Sequence, residues 1–469
     1  MQVMSSQPDG KKPNMDHLDE DLAAVLGQVC QAIARAGGRA WLVGGVVRDG
    51  FLGEETGDLD LEVFGLPAVD LRATLEKEFE LDLVGQSFGI LKVRGWPIDV
   101  GLPRREAKIG LGHKGFEVYS DPDMSLKEAA ARRDFTINAV YFDPLTGEVE
   151  DPFDGLDDLA KGKLRHTSPA FGEDPLRVLR GMQLAARFDL EVVPETVTLC
   201  RKIEPEGLTS ERIFGEWTKL ITLGKVPSRG LAFLKECGWL QYYPELSALS
   251  GVPQDPKWHP EGDVWVHTLH CLDAFAEEKT GDPWENLVVG MAVLCHDLGK
   301  PATTTCEDGT IRSLGHEQHG VAVTGEFLGR MTSHRKLLAQ VKPLVAEHMR
   351  PTTLFKAKAS DAAIRRLAAR VGRIDRLVRV ARADVLGRPP LASTDYPAGD
   401  WLLEAARRLD IEKQPPKPLV LGRHLVDLGQ KPGPAFGGIL AKCYEAQLAG
   451  KFKTVEAGIK YAEKLLRNW

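Results

Sequence analysis

The sequence predicts an α+β head followed by an all-α remainder, and two observations support this fold class. Strand and turn signals dominate from about Ala40 to Leu164, where helical segments intervene. After about Arg165, long helical patterns follow one another and are separated by proline and glycine residues. The chain has 469 residues, which is more than one hydrophobic core accommodates, so we expect about three folded domains.

The head is expected to begin with a helix over residues 21–37, which ends at two glycines. Strands are predicted after it, over residues 40–43, 58–64, 90–94, 98–102 and 139–142. A helix over residues 68–79 separates the second of these strands from the third. This mixture is typical of an α+β domain that contains a mixed β-sheet with helices.

Changes in pattern also predict the boundaries of the segments. We expect a disordered tail at 1–20, the head at 21–165, a helical neck at 166–235, a further α-helical domain at 236–395 and a helical tail at 396–469.

Composition narrows the class of protein. The net charge is −7 and the pI is near 6.0, so a general basic coat for nucleic acid is absent, and bound RNA would need local basic patches. The seven cysteines form no CxxC pair, which indicates neither a thiolate zinc site nor a disulfide framework. We find no apolar run of membrane-spanning length and no signal or transit peptide, so a cytoplasmic protein with no membrane partner is expected.

A glycine turn near the start of the head has the features of a phosphate site. The apolar strand Trp41 to Val43 ends at Gly44-Gly45, and a helix is expected from Val46. Glycine at this junction lets backbone N–H groups approach a phosphate, whose charge the helix N-terminus favours. Arg48 would lie in the first turn of that helix, near the same phosphates. A Gly-Gly pair alone is also typical of a plain turn.

Acidic residues follow the glycine turn. In a strand, Asp58, Asp60 and Glu62 share one face, while the residues between them point to the core. Adjacent carboxylates repel one another unless a cation lies between them, and Mg²⁺ prefers oxygen ligands. We therefore predict that Asp58 and Asp60 bind Mg²⁺ for phosphoryl transfer, the alternative being a solvated strand face. Asp99 is a candidate third carboxylate on a neighbouring strand, or an exposed strand residue.

These residues resemble a known family. The run from Leu42 to Asp49, followed by Asp58-Leu59-Asp60, is similar to the head motif of class II nucleotidyltransferases. These are the tRNA CCA-adding enzymes and the bacterial poly(A) polymerases. Further matching motifs occur in order at residues 132–139, 151–155 and 173–180. The chain departs from the usual family pattern at Gly181 and Gln183, where the family more often has Ala and Arg.

The resemblance implies roles for residues that would bind the nucleotide. They are Gly45, Arg48, Arg133, Asp134, Asp174, Arg177 and Arg180. Arg133 is expected to contact the ribose or a phosphate, and Asp134 to orient it. Glu173-Asp174-Pro175 is typical of a helix start, with Asp174 at the N-cap and Pro175 at the first helical position. Asp174 then either only caps the helix or also selects the base.

A pair formed by Asp174 and Arg177 would select C and A. The aspartate only accepts hydrogen bonds, whereas the arginine only donates them. Cytosine and adenine both present an amino donor beside a ring-nitrogen acceptor, whereas uracil and guanine present the reverse order. Each charged contact would contribute roughly 1–3 kcal/mol of discrimination. Arg180, one turn further along, would brace this pair or contact phosphate.

Histidines and aspartates in the all-α region form a second constellation. His267, His296-Asp297 and Asp384 have the H…HD…D pattern of HD phosphohydrolases, and the surrounding motifs resemble the CCA-adding enzymes that carry an HD domain. The predicted domain at 236–395 would then be this HD phosphohydrolase domain. Mixed nitrogen and oxygen ligands suit Ni²⁺, Mn²⁺ or Co²⁺. His316 and His348 would complete a second metal position.

The leading hypothesis is an enzyme that adds CCA to the tRNA 3′ end from CTP and ATP, with Mg²⁺ in the head and a metal-dependent phosphatase or 2′,3′-cyclic phosphodiesterase in the HD domain. One alternative is a poly(A) polymerase or an enzyme that adds only CC or only A. Another is a phosphohydrolase whose head only binds nucleotide. No DNA partner is expected. Arg366, Arg370 and Arg373 would form a stripe on one helix face that contacts tRNA phosphates, or a salt-bridged surface.

Overall fold

The structure is a computed structural model of the chain. It describes residues 12–16, 18–55, 57–84, 90–108, 116–389, 391 and 395–467. Most of the predicted disordered tail at 1–20, namely residues 1–11 and 17, lies outside these residues. The chain divides into two compact units, the first comprising residues 1–217 and 232–239 and the second residues 218–231 and 240–469. The finer division into five segments stays a prediction.

A mixed β-sheet forms the centre of the first unit. Seven strands belong to it among the described residues, in the spatial order Leu81–Val84, Ile90–Val93, Ile98–Gly101, Leu59–Phe64, Arg39–Val43, Tyr141–Phe142 and Val149–Glu150. The strand Leu59–Phe64 is antiparallel to Arg39–Val43 and parallel to Ile98–Gly101. The parallel register sets Asp60 opposite Asp99. The predicted strand positions in the head are thereby confirmed within a few residues.

Alternation along the strand Leu59–Phe64 orients its acidic residues. Leu59, Leu61 and Val63 are buried in the head core, whereas Asp60 is exposed. The apolar side chains pack in the same core as helix Glu20–Arg35. Because successive residues of a strand point to opposite faces, this packing presents the carboxylates on the other face.

Helices flank and extend the sheet of the first unit. They span Glu20–Arg35, Gly45–Leu52, Ala68–Leu75, Leu126–Ala131, Gly155–Ala160, Leu176–Phe188 and Pro194–Cys200. The strand expected at 139–142 is shortened to Tyr141–Phe142, because Thr136–Asn138 forms a 3₁₀ turn. Further strands pair in twos, Arg104–Lys108 with Phe116–Ser120 and Lys163–Leu164 with Glu191–Val192.

The chain passes between the two units three times, within the helices Ser210–Leu223 and Pro227–Glu236 and within the 3₁₀ turn Trp239–Tyr242. The second unit is mainly helical. Its helices span Pro244–Ser247, Val264–Glu277, Pro283–Cys295, Lys300–Thr303, His316–Met331, Arg335–Glu347, Arg350–Lys356, Asp361–Val371, Ile374–Leu386, Pro397–Arg408, Gly422–Asp427, Ala435–Leu448 and Val455–Arg467.

A β-hairpin in the second unit departs from the all-α prediction. Strands Thr304–Glu307 and Thr310–Ser313 pair across the turn residues Asp308 and Gly309. Both turn residues have positive φ, 49° and 72°, which is the backbone that a two-residue hairpin turn of type I′ requires. The Asp-Gly pair was therefore the sequence signal for this hairpin.

Helix Pro283–Cys295 lies in the core of the second unit, where every residue from Asn286 to Cys295 is buried. Each cysteine of the chain is a free thiol, as the cysteine spacing predicted. Among the described residues, we find no helix that has both the length and the apolar character needed to traverse a bilayer.

Candidate functional sites

The glycine turn lies directly against the predicted catalytic carboxylate. Gly44 follows the strand Arg39–Val43 and has φ 77°, a conformation that favours glycine. A Cβ atom at Gly44 would lie 3.4 Å from Nη1 of Arg133 and 3.9 Å from Oδ2 of Asp60. The predicted proximity of the turn and Asp60 is therefore confirmed.

Acidic side chains converge on a cavity of about 270 Å³ beside this turn, which Asp60 and Asp99 line. Although Asp60 is exposed, the surrounding protein removes part of the water around its carboxylate. This desolvation and the charges of Asp99 and Asp58 raise the pKa of Asp60, while Arg133 opposes the increase. Lys92 Nζ lies 2.9 Å from Asp99 Oδ2 and neutralises part of the charge. Asp58 precedes the strand instead of lying in it, and it is exposed. The donor set, oxygen atoms from clustered carboxylates, suits Mg²⁺.

Glu62 also lines this cavity, but its carboxylate is engaged by other side chains. Its Oε2 accepts hydrogen bonds from the Tyr141 hydroxyl at 2.8 Å and from Arg133 Nη2 at 3.3 Å. Arg133 Nε is buried and has no hydrogen-bond partner among the described residues. Glu62 therefore holds a cationic side chain at the cavity wall, a role that the sequence analysis missed.

Asp134 lies in a buried polar network. Its Oδ2 accepts a hydrogen bond from Arg180 Nη1 at 2.8 Å, and its Oδ1 accepts one from Asn138 Nδ2 at 3.0 Å. Burial acts to raise the pKa of Asp134, but Arg180 and Asn138 outweigh it and lower this pKa to about 2. Arg180 therefore braces Asp134, whereas the sequence analysis expected it near Asp174 or a phosphate.

Arg48 is also buried among protein groups. Its Nη1 donates to Asn138 Oδ1 at 2.5 Å, its Nε donates to Asp49 Oδ1 at 2.8 Å, and its guanidinium lies over the Phe188 ring. These contacts connect helix Gly45–Leu52 to the rest of the first unit. Contacts of Gly45 and Arg48 with phosphate stay predictions.

The predicted base-selecting helix begins one residue later than expected. The helix spans Leu176–Phe188, so Pro175 precedes it instead of occupying its first position. Pro175 is the N-cap, so the prediction of Asp174 at that position is wrong by one residue, but Asp174 Oδ1 accepts a hydrogen bond from the backbone N–H of Leu176, the first helical residue, at 3.1 Å. Packing explains the glycine at position 181, where the family more often has Ala, because a Cβ there would lie 3.1 Å from the Phe135 ring.

The side chains of Asp174 and Arg177 do not pair with each other, although the Arg177 backbone N–H donates to the Asp174 carbonyl at 3.0 Å. Arg177 donates to two backbone carbonyls, those of Ala170 at 2.9 Å and Arg132 at 2.6 Å. Asp174 Oδ2 instead accepts a hydrogen bond from Arg212 Nη2 at 2.8 Å. Arg212 lies 38 residues further along the chain, which is why local spacing did not reveal it.

The second predicted constellation comes together in the second unit. Its residues are all buried and belong to five different helices or their ends: His267, His296, Asp297, His316, His348 and Asp384. Two of the contacts are short, since His267 Nε2 lies 3.1 Å from Asp384 Oδ1 and His296 Nε2 lies 3.2 Å from Asp297 Oδ2. Ligand atoms about 2.1 Å from one metal ion are separated by roughly 3 Å, so each of these two pairs is close enough to share an ion. Possible ligand atoms form two groups, one of His267, Cys271, His296 and Asp384 and the other of Asp297, His316 and His348.

Hydrogen bonds orient three of these histidines in the same way. Nδ1 of His296, His316 and His348 lies 2.7–2.8 Å from the backbone carbonyl three residues earlier in each case. When Nδ1 donates that bond, Nε2 keeps its lone pair and can bind a metal. Nε2 of His316 and Nε2 of His348 lie 3.3 Å apart, a contact between two acceptors that a cation would stabilise.

A cavity of about 690 Å³ opens onto this cluster. Two cations on its wall contact the cluster's carboxylates, with Lys300 Nζ 2.7 Å from Asp297 Oδ2 and Arg388 Nη2 2.5 Å from Asp384 Oδ1. Trp258, on the same wall, is 55% exposed and offers an apolar surface to a ligand. The cavity therefore combines a floor of histidine and carboxylate side chains with positive and aromatic walls.

Glu261 is a further residue of this cluster that the sequence did not predict. Glu261 Oε1 lies 2.7 Å from Nδ1 of His267 and 2.9 Å from Nδ1 of His259. Burial acts to raise the pKa of Glu261, but hydrogen bonds from His267 and His259 outweigh it and lower this pKa. His259 belongs to Lys257-Trp258-His259-Pro260, one of the motifs that resemble the HD-carrying family members, and Glu261 follows that motif directly.

The predicted arginine stripe is not a continuous face. Helices Asp361–Val371 and Ile374–Leu386 are separate, because Gly372 between them has φ 76°. Arg373 therefore lies outside the first helix. The three arginines are also engaged by carboxylates, Arg366 by Glu445, Arg370 by Glu347, and Arg373 by Glu285 and Asp375. The alternative interpretation, a salt-bridged surface, is confirmed.

Comparison with known proteins shows which family the chain resembles. Residues 40–165 match the family described as Poly A polymerase head domain. The Multifunctional CCA protein of Cupriavidus metallidurans is 38% identical over 382 residues, which are 78% of this chain and 89% of that protein.

Solved structures resemble the chain over nearly its whole length. The CCA-adding enzyme of Bacillus stearothermophilus in complex with CTP has a TM-score of 0.64 at 22% identity, and the match covers 96% of this chain and 100% of that one. The Thermotoga maritima CCA-adding enzyme complexed with tRNA_CCA has a TM-score of 0.58 at 17% identity and covers 96% and 97% of the two chains. At these identities, the likeness concerns the fold.

Proposed function

Because the chain belongs to the class II tRNA nucleotidyltransferase family of CCA-adding enzymes, we propose that it adds C and A residues to the 3′ end of tRNA from CTP and ATP. One observation carries the proposal. The Asp60 carboxylate lies against the Gly44 turn and beside Asp99, with a cationic Arg133 at the same place. This arrangement supplies carboxylate ligands for a cation. Beside them lies a glycine turn whose backbone a phosphate can approach closely.

In the proposed reaction, the tRNA 3′-oxygen attacks the α-phosphorus of the nucleoside triphosphate. A new O–P bond forms, the bond to pyrophosphate breaks, and the hydroxyl proton passes to solvent. Mg²⁺ held by Asp58 and Asp60 would favour the ionised 3′-oxygen and neutralise the triphosphate. Arg133 lines the cavity with a guanidinium that Glu62 holds in place, and its charge is suited to a phosphate or ribose oxygen.

Asp174 is proposed to select the base. One of its oxygens accepts from Leu176 and the other from Arg212, so the carboxylate is held in a fixed orientation. A carboxylate accepts from the amino groups of cytosine and adenine, while uracil and guanine offer a carbonyl oxygen at the same place and would be repelled. The Arg177 guanidinium donates to two backbone carbonyls. To contact the ring nitrogen of the base, it would have to move or to share one of these N–H donors.

The family also contains poly(A) polymerases, and the head motifs do not separate the two activities. The name of the Cupriavidus relative, a Multifunctional CCA protein, favours CCA addition, as does its identity over most of this chain. A phosphohydrolase whose head only binds nucleotide is disfavoured, because Asp60 and Asp99 retain the carboxylate arrangement that nucleotide binding alone does not need.

A second activity is proposed for the buried histidine cluster. His267, His296, Asp297 and Asp384 would hold one divalent ion, such as Ni²⁺, Mn²⁺ or Co²⁺, and His316 with His348 would contribute to a second position. The bound ion would supply an activated water for hydrolysis of a phosphomonoester or a 2′,3′-cyclic phosphate. Lys300 and Arg388 provide the positive charge that such a substrate requires.

The test is nucleotide incorporation into tRNA that lacks its terminal CCA. We expect labelled CTP and ATP both to enter, with CTP first. Entry of ATP alone, in long tracts, would establish a poly(A) polymerase. Absence of incorporation, together with cleavage of p-nitrophenyl phosphate, would establish a hydrolase with a nucleotide-binding head.

A further inference from the structure

The histidines of the buried cluster are oriented by two different kinds of partner. His296 and His348 follow the last residues of their helices, where backbone carbonyls lack intrahelical partners. Their Nδ1 atoms use those carbonyls, on Val293 and Val345. A neutral backbone group is therefore sufficient to fix each of these rings.

His267 lies inside helix Val264–Glu277, so its Nδ1 does not use the backbone carbonyl three residues earlier. The carbonyl three residues before it belongs to Val264 and already accepts a hydrogen bond from the Thr268 hydroxyl at 2.8 Å. The nearest partner of His267 Nδ1 is Glu261 Oε1 at 2.7 Å, while the Gly387 carbonyl is more distant at 3.2 Å. His267 thus depends on a carboxylate for its orientation.

The chain brings Glu261 to this place with a turn just before the helix. Gly262 has φ 131°, a backbone that side-chain-bearing residues rarely adopt. Asp263 then caps the helix by accepting from Val266 N at 2.9 Å. The Glu261 side chain is 0% exposed, and its Oε2 has no hydrogen-bond partner among the described residues. Burying a carboxylate is costly, so its retention calls for a compensating partner.

We propose that Glu261 is a positioning residue that fixes the Nδ1–H tautomer of His267 and directs its Nε2 at the metal of the HD cluster. This inference rests on the proposed metal-dependent activity of that cluster. A carboxylate behind an imidazole orients the ring and makes its other nitrogen a stronger ligand. The same Oε1 lies 2.9 Å from His259 Nδ1, so Glu261 also holds a histidine on the cavity wall.

The experiment measures the affinity for Co²⁺ alone, by calorimetry and by the d–d absorption of the bound ion. The full-length chain carries Asp60→Ala throughout, which removes a carboxylate of the other proposed metal site. Glu261→Ala should weaken Co²⁺ binding by about 10–100-fold and change the absorption spectrum. Glu261→Gln keeps an acceptor for His267 and should recover at least part of the affinity. Circular dichroism identifies a variant that does not fold.

Glu317 provides the matched control. Its Oε2 lies 3.6 Å from His316 Nδ1, but that nitrogen already has the Ser313 carbonyl at 2.7 Å. Glu317→Ala should leave Co²⁺ affinity within about twofold of the parent, since no tautomer depends on it. If folded Glu261→Ala keeps the Co²⁺ affinity and absorption spectrum of the parent chain, the inference about Glu261 is refuted and the metal site is not. Failure of the parent chain to bind Co²⁺ would refute the metal site itself and the inference with it.

Discussion

Replacing Asp134 by asparagine tests how much the buried ion pair with Arg180 contributes to stability. Asparagine has nearly the same shape and can still accept from Phe135 N and Asn138 Nδ2, so the change removes mainly the ion pair. The pKa of Asp134 is lowered from 3.8 to about 2 in the folded chain. A difference of this size corresponds to about 2 kcal/mol of stability at neutral pH.

The sign of the pH dependence follows from the direction of that shift. Asp134 has a lower pKa when folded, so its stabilisation is complete above its unfolded value of 3.8 and is lost as the pH falls through 3.8 toward 2. Asp134→Asn should therefore cost about 2 kcal/mol at pH 7 but only roughly 1 kcal/mol at pH 3.

Hydrogen exchange measured by mass spectrometry suits this test, because it reports local opening in a chain with two units. The informative peptide contains Phe135 and Asn138, whose amides lie in the network. Asp157→Asn is the control, since Asp157 forms an exposed pair with Lys161 at 2.7 Å that solvent screens and that should contribute little to stability. An equal cost at pH 7 and pH 3, or a cost no larger than that of the control, would refute the reasoning.

Three further predictions concern turns, base choice and packing. Gly44→Ala forces a side chain into a φ of 77° and against Arg133, so nucleotide addition should fall by at least about tenfold without a change in circular dichroism. Asp174→Ala should raise incorporation of UMP and GMP relative to CMP and AMP by about tenfold, as seen in competition assays; unchanged selectivity would contradict the proposed base contact. Gly290→Ala places a Cβ 2.4 Å from Ile221, so urea unfolding should show a loss of about 1–3 kcal/mol, and unaltered stability would contradict the packing argument.

The parts of the molecule that follow from local pattern could be predicted from the sequence. Alternation of Leu59, Leu61 and Val63 with acidic residues predicted a strand with Asp60 on its open face, and the strand forms because the apolar residues reach a core. The histidine cluster was predicted from the ordered pattern of His267, His296-Asp297 and Asp384. This pattern is specific enough to be recognised although its members lie far apart along the chain.

Contacts between distant residues could not be predicted in this way. Arg212 reaches Asp174 across 38 residues, and Arg366 reaches Glu445 across 79, so neither partner is visible in local spacing. Glu261 was missed for a different reason: its carboxylate acts on His267 through an Nδ1 atom, and metal-ligand spacing identifies only the ligands themselves.

The most direct test of the central claim is to assay one preparation of Asp60→Ala for two activities, nucleotide addition to tRNA lacking CCA and cleavage of a phosphomonoester. Addition should fall by on the order of 10³-fold, equivalent to about 4 kcal/mol of transition-state stabilisation, while cleavage stays within about twofold of the unaltered chain. His296→Ala and Asp297→Ala should show the reverse. Retention of substantial addition by folded Asp60→Ala would contradict the assignment of a metal and triphosphate site to the carboxylates beside the Gly44 turn.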